Sequence, residues 1–189
     1  MQYLYSIILI ILISACAHTD SLDKYSSELP DSAQINDVLA RISEIDSLNT
    51  EYKIIEKISI PRIYKRPKWE NDSVPPPPPP VESISYDDLF SFFQAESNKQ
   101  KRYDDSVFIS LQVDTLRKFA VDKYLLEKFD KNSDQFYIFN TPIFSFDKNH
   151  VVIRYWEVCG GLCGNCKLVL LKKENNEWIK IESLNCGVM

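Results

Sequence analysis

The sequence predicts an α+β fold in which two helices pack on a C-terminal antiparallel meander of about four strands. The first observation is a C-terminal series of β-branched and aromatic runs, separated by turn-forming residues. The second is a pair of earlier segments in which apolar residues recur at helical spacing. Residues 81–189 have the common length of one domain. We therefore expect one α+β domain over 81–189, preceded by an N-terminal extension.

The first helix of this domain is predicted over residues 86–96. Ser85 and Asp88 form the S-x-x-D pattern of a capping box, directly before a run rich in phenylalanine. We expect this helix to bury its aromatic side chains. Residues 97–105 are polar and predict a loop.

A strand and a second helix are predicted next. Residues 107–113 alternate apolar and polar side chains, which favours a strand. Asp114 or Thr115 can then cap a helix over residues 115–129, whose apolar face is wide.

The remaining residues are predicted to be strands. Pro142 separates the first two and indicates an edge strand or a bend. The predicted strands are 136–139, 143–146, 151–158, 167–172 and 177–184. Glu174-Asn175-Asn176 joins the last two, and asparagine tolerates the positive φ of a tight hairpin. Four sheet aromatics could line a ligand pocket, although such residues more often belong to the core; they are Phe139, Tyr155, Trp156 and Trp178.

Residues 1–15 predict a signal peptide. They contain no charged side chain, and an apolar run covers residues 7–13. Such a run is far shorter than the roughly 20 residues that cross a bilayer as a helix, but it is typical of a signal-peptide core. An ordinary secretory signal and a short membrane anchor are the alternatives to a lipoprotein leader.

The run ends in Ile13-Ser14-Ala15-Cys16, which resembles the lipobox of bacterial lipoproteins. The resemblance implies cleavage before Cys16 and attachment of acyl chains such as palmitate to this residue. Several acyl chains together anchor a protein stably in a membrane. The leader departs from the pattern because it lacks Lys and Arg. Ala17 follows the cysteine where aspartate would favour the inner membrane, so the resemblance implies the outer membrane, facing the periplasm or the surface.

Three segments are predicted between the cysteine and the domain. Residues 16–30 are polar and predict a tether. Residues 31–61 begin with an amphipathic helix capped by Asp31 or Ser32, and residues 52–60 favour either a strand or a further helical turn. The helical stripe is more typical of packing on its own domain than of partner binding.

Residues 62–80 predict a proline-rich linker. Pro75 to Pro80 are six consecutive prolines, which favour a polyproline II rod of about 19 Å. The rod could dock in an aromatic groove of another envelope protein, but a stiff spacer is the simpler interpretation.

The composition argues against nucleic acid as a partner. The net charge is −5, whereas phosphates call for a basic face. His18 and His150 are the only two histidines, so a multi-histidine metal site is excluded. The usual hydrolase, P-loop and metalloprotease motifs are also missing from the sequence. We predict no catalytic residue, no metal site and no cofactor.

The C-terminal cysteines are the most informative feature. Cys159, Cys163, Cys166 and Cys186 lie close to all four glycines of the chain. Glycine reaches positive φ without strain, so a sharp reversal is expected there. With Cys16 acylated, four thiols remain in an oxidising compartment, and an even number favours disulfides. A hairpin turning near Asn175 would place Cys166 opposite residues 184–186, leaving Cys159 to pair with Cys163.

Two alternatives use the same cysteines differently. Cys159-x3-Cys163-x2-Cys166 with Cys186 approximates a four-cysteine zinc site. Cys163-Gly-Asn-Cys166 could instead be a thiol-redox pair, although such pairs depend on a helix N-terminus and this one leads into a predicted strand.

The last third of the chain resembles the C-terminal half of many small uncharacterised bacterial lipoproteins. The resemblance comprises Pro142-Ile-Phe-Ser145, Asp147-Lys148, Cys159-Gly-Gly-Leu-Cys-Gly164 and Lys172-Lys173 leading to Glu177-Trp-Ile-Lys180. It implies no activity. The usual pattern has a glycine-rich link where this chain has Asn165-Cys166, so Cys166 and Cys186 look like a local addition. We expect a lipid-anchored envelope protein that acts as a structural, interaction or ligand-binding module; the alternative is a cysteine-centred zinc or redox protein.

Overall fold

The computed structural model describes residues 23–65, 83–116, 118–160 and 163–188. Besides a helical turn over residues 23–26, it contains helices α1 (Ser32–Ile45), α2 (Tyr86–Phe92), α3 (Lys99–Thr115) and α4 (Lys123–Leu126). The strands are β1 (Lys53–Ile54), β2 (Lys57–Ser59), β3 (Arg62–Tyr64), β4 (Ser83–Ser85), β5 (Lys118–Ala120), β6 (Phe136–Phe139), β7 (Ile143–Phe144), β8 (His150–Gly160), β9 (Cys163–Glu174) and β10 (Glu177–Val188).

A six-stranded sheet forms the centre of the fold. Its strand order is β1-β6-β8-β9-β10, and β7 also pairs with β8. All of these pairings are antiparallel except β1 with β6. Two small sheets lie beside it, formed by β2 with β5 and by β3 with β4. The predicted α+β class with its C-terminal meander is confirmed.

The two faces of the sheet bury separate apolar clusters. Because side chains alternate along a strand, Val151 and Ile153 of β8 join one cluster and Val152 joins the other. Helix α1 packs in the first cluster and α2 in the second. Helix α3 contributes to both, through the neighbouring residues Phe108 and Ile109.

Helix α1 is an integral part of this core. Its N-cap Asp31 accepts a hydrogen bond from the backbone N–H of Gln34, whose side chain accepts one in return from Asp31. Its buried residues are Ile35, Val38, Leu39 and Ile42, and they share a cluster with sheet residues such as Tyr137 and Trp178. The division predicted at residue 81 therefore does not separate two cores, because the apolar stripe of α1 is buried on the sheet of the domain that follows.

The proline-rich segment is bounded by two paired strands. β3 and β4 run parallel, with Arg62 opposite Ser83 and Tyr64 opposite Ser85. The predicted linker 62–80 thus begins inside a strand, and the chain returns to that strand at residue 83. It does not join an arm to a separate domain. The prolines themselves lie outside the described residues.

Helix α2 follows the prediction closely. It starts at Tyr86, and the Ser85 hydroxyl accepts a hydrogen bond from the backbone N–H of Asp88 at 3.0 Å. It ends at Phe92, earlier than the predicted residue 96. Leu89, Phe90 and Phe93 are buried, as expected.

The loop predicted over 97–105 and the strand predicted over 107–113 are both wrong, because α3 occupies residues 99–115. Asn98 caps this helix by accepting a hydrogen bond from the N–H of Lys101. The buried positions are Asp105, Phe108, Ile109 and Gln112, which follow helical spacing. Since two of these four are polar, the helical stripe does not appear in a hydrophobicity pattern.

The helix predicted over residues 115–129 is also wrong. Thr115 is the last residue of α3, and the chain then forms β5, which pairs with β2. Asp122 caps the short α4, and its own backbone N–H donates to the side chain of Asn36 on α1. The apolar residues that predicted one wide helical face over residues 115–129 are instead divided among β5, α4 and the loop after α4.

The C-terminal strands agree with the prediction in number and order. β6 has the predicted bounds, β7 ends two residues earlier than predicted, and β8, β9 and β10 are longer. Asn175 and Asn176 turn the last hairpin with φ of 50° and 67°, the positive values that a two-residue turn with matching twist requires. Residues 52–60, which the sequence left between strand and helix, contain the short strands β1 and β2.

Candidate functional site

The first disulfide closes the reversal between β8 and β9. Cys159 pairs with Cys163, and their Cα atoms are 5.3 Å apart. Gly160 has φ of 96°, a conformation that side-chain-bearing residues rarely adopt. Gly160 thus permits the tight turn that the disulfide closes.

The second disulfide joins β9 to β10. Cys166 pairs with Cys186 across a Cα distance of 5.0 Å and a sequence separation of 20. The pairing register shifts between Asn185 and Gly187, so Cys186 lies at a bulge. The bond connects the interior of β9, where Cys166 is 1% exposed, to the last strand of the sheet.

These pairings define what the four sulfurs can do in this state. The two cysteines of the Cys163-Gly-Asn-Cys166 motif bond to different partners, not to each other. A disulfide sulfur is neither a thiolate nucleophile nor the anionic ligand that zinc requires. Among the described residues, no three His, Cys, Asp or Glu side chains cluster to hold a metal ion. The two disulfides instead cross-link the last three strands, one at the turn between β8 and β9 and the other between β9 and β10.

The predicted lipid attachment site, Cys16, lies outside the described residues, as do the predicted signal peptide and the start of the predicted tether. No helix within the described ranges has the length and apolar character needed to span a membrane.

A buried carboxylate fixes the end of α1 to the sheet. The Asp46 side chain is 2% exposed and forms an ion pair with Lys180. It also accepts a hydrogen bond from the Tyr155 hydroxyl at 2.5 Å, and Lys167 lies 3.9 Å away. Burial alone would raise the pKa of Asp46, but the bonds from Lys180 and Tyr155 outweigh it and lower that pKa. Burial, together with the bond to Asp46, raises the pKa of Tyr155, which therefore keeps its proton.

A second buried polar group joins α3 to β7. The Gln112 amide donates to the carbonyl oxygen of Phe144 at 2.8 Å and accepts from its N–H at 2.9 Å. The Asp105 carboxylate accepts from the N–H of Phe146 at 2.7 Å. Burial raises the pKa of Asp105 to about 6, although the Phe146 bond opposes that shift. Burial also lowers the pKa of His150, with Lys101 acting in the same direction. His150 therefore favours its neutral form, whereas Asp105 is mainly neutral only below about pH 6.

The aromatic residues considered as a ligand pocket do not form one. Phe139, Tyr155 and Trp178 are at most 5% exposed and belong to one core cluster. Trp156 is half-buried and lies on the other face, directly opposite Cys166.

A partly exposed apolar surface surrounds the second disulfide. Ile138, Trp156 and Cys166 form a row across three strands, and Leu168 and Leu184 are paired beside it. We call these five residues the tip face. Leu184 is 41% exposed, and Ile181 on the same strand is 49% exposed. An alternation of apolar and polar side chains along a strand can show which face of a sheet is exposed. The predicted strands carry apolar side chains on both faces, so the sequence does not show where this surface lies.

A second open surface lies between α2 and α3. It is a groove of about 510 Å³ whose walls include Tyr86, Phe90, Arg102 and Tyr103. The sequence could not reveal it, because one wall is the helix that was predicted as a loop and a strand.

No protein-family model, curated protein or solved structure matches this chain.

Proposed function

We propose that this chain is a lipid-anchored cell-envelope protein, attached to the outer membrane through Cys16 and facing the periplasm or the surface. One observation carries the proposal: all four C-terminal cysteines are paired in disulfides. Disulfides form and persist in oxidising compartments outside the cytosol. The apolar leader and the lipobox-like sequence around Cys16 favour the same location independently.

The domain serves as a non-enzymatic interaction module. The buried ionisable groups, Asp46 and Asp105, bond to other parts of the fold and lie inside its core. They therefore support the structure and do not face a substrate. The tip face instead presents partly exposed apolar side chains on the sheet, which suits binding. The tip face contains Cys166, and the disulfide from this residue to Cys186 cross-links the face to the last strand of the sheet.

The test uses full-length protein made in a bacterial host that processes lipoproteins. A photo-reactive amino acid at position 184 should crosslink to an envelope component in intact cells, because Leu184 is 41% exposed on the tip face. The matched control places the same probe at Tyr124, which is 72% exposed on α4. Discrete adducts at 184 and none at 124 support the proposal. Equal labelling at both positions, or a chain recovered in the cytosol, contradicts it.

A further inference from the structure

The segment 23–29 is fixed on the folded domain. Tyr25 is 6% exposed and belongs to the core cluster that α1 shares with the sheet. Its ring centroid lies 5.0 Å from that of Phe146, and its hydroxyl donates to Asp104 at 2.7 Å. Glu28 and Lys148 form an ion pair of 3.2 Å. Residues 23–29, which we call the docked segment, therefore pack on α3 and on the turn between β7 and β8.

This docking leaves a short link to the predicted lipid attachment site. Six residues, 17–22, separate Cys16 from Asp23. A chain advances at most about 3.6 Å per residue, so the Cα atoms of these two residues are no more than about 25 Å apart. That limit applies to every conformation of the link. With Cys16 acylated, Asp23 is therefore held within about 25 Å of the bilayer surface.

Strand β8 leads from the docked segment to the disulfides. It starts at His150, just after the turn on which Tyr25 packs, and reaches Cys159 nine residues later. A strand rises about 3.3 Å per residue, so His150 and Cys159 are about 30 Å apart. Trp156 of the tip face is about 20 Å from His150 by the same measure. The docked segment and the Cys159–Cys163 disulfide thus lie at opposite ends of β8.

The surface around the docked segment carries paired charges of both signs. Lys148 pairs with Glu28, and Lys101 pairs with Asp147 at 3.1 Å. Such a surface suits the hydrated headgroups of a bilayer, whereas binding in the acyl region requires an apolar face. These pairs also leave no excess of positive charge for anionic lipid. The short link, and not charge, therefore decides which end of the domain lies near the membrane.

We propose that the docked segment and the turn between β7 and β8 form the membrane-proximal end of the domain, facing the headgroups of the bilayer that holds Cys16. The disulfide end then points away from that bilayer. The tip face is presented to a partner that approaches from the aqueous side. This inference rests on the proposed lipid anchor and adds a fixed orientation to it.

Photo-crosslinking to lipid tests the orientation. Acylated full-length protein is placed in phosphatidylcholine vesicles with a photo-reactive amino acid at position 149, an exposed residue of the turn between β7 and β8. The matched control carries the probe at Asp134, which is also exposed and lies at the disulfide end, where the neighbouring Gln135 donates to the carbonyl of Cys159. Lipid adducts, counted by intact mass, should be about fivefold more abundant at 149, because the two ends of β8 are about 30 Å apart.

A longer link provides the second measurement. Inserting 30 Gly and Ser residues after Thr19 keeps the anchor and the fold, and the flexible link lets the domain turn. The ratio of adducts at 149 and 134 should then approach one, whereas the same insertion after Met189 should leave it unchanged. Equal labelling of the two positions in the acylated parent, or a ratio that the longer link does not change, overturns the orientation and leaves the anchor standing. A parent chain whose mass shows no lipid overturns the anchor itself, and the orientation with it.

Discussion

Asp105→Asn should stabilise the protein at neutral pH, because Asp105 is held in a site that disfavours its charge. The residue is fully buried, one carboxylate oxygen accepts from the N–H of Phe146, and the other has no hydrogen-bond partner among the described residues. Asparagine has the same shape, stays neutral at every pH and keeps the oxygen that bonds to Phe146.

The magnitude follows from the pKa. Burial raises the pKa of Asp105 from 3.8 to about 6, a change of about two units that corresponds to roughly 3 kcal/mol. Because the folded-state pKa lies above the unfolded one, the folded protein loses stability as pH rises from about 4 to about 6. The full cost applies above pH 6 and disappears below pH 4. The variant should therefore exceed the parent by up to about 3 kcal/mol at pH 7.5 and equal it near pH 4.

Urea unfolding of the oxidised protein at several pH values, followed by tryptophan fluorescence, measures this difference. Asp104→Asn is the matched control: its carboxylate is only partly buried and accepts from the Tyr25 hydroxyl, so its substitution should weaken that bond and should not stabilise the protein. The reasoning is refuted if Asp105→Asn destabilises the protein equally at pH 4 and pH 7.5. That result would mean that the pKa of Asp105 is the same in the folded and the unfolded protein, so that burial does not penalise its charge.

Three further substitutions test the contacts that hold the fold, each by urea unfolding. Replacing Cys166 and Cys186 together with serine should lower the free energy of unfolding by about 3 kcal/mol, because the bond closes a 20-residue separation; an unchanged midpoint would show that the bond does not form. Asp46→Asn should cost about 2 kcal/mol, since Lys180 and Tyr155 lose their charged acceptor, whereas a change below 0.5 kcal/mol would identify an ordinary surface pair. Gln112→Met should cost roughly 2–4 kcal/mol, because two buried backbone groups lose their partners, and a neutral effect would contradict the buried pairing.

The sequence predicts the parts of the fold whose signals are local. The hairpin at Asn175 and Asn176 and the Ser85 cap of α2 each depend on a few neighbouring residues, and both lie where the sequence predicts them. The cap of α1 is Asp31, one of the two residues that the sequence allows. The pairing of Cys186 with Cys166 also followed from one local feature, the turn near Asn175, which brings the two strands side by side.

The parts that depend on distant contacts were not predictable. Helix α3 buries Asp105 and Gln112 because the backbone near β7 supplies their hydrogen bonds, and a single sequence does not show that partner. The burial of α1 on the sheet depends on contacts across more than 100 positions, such as the bond from Arg41 to the carbonyl of Trp178. For the same reason the groove between α2 and α3 could not be anticipated.

Intact-mass analysis of the membrane-bound protein, with alkylation before and after reduction, tests the central account most directly. The account predicts a polypeptide that begins at an acylated Cys16, accepts no alkyl groups before reduction and accepts four afterwards. A chain that still carries residues 1–15, has no lipid and shows free thiols before reduction would contradict both the envelope location and the disulfide-braced fold.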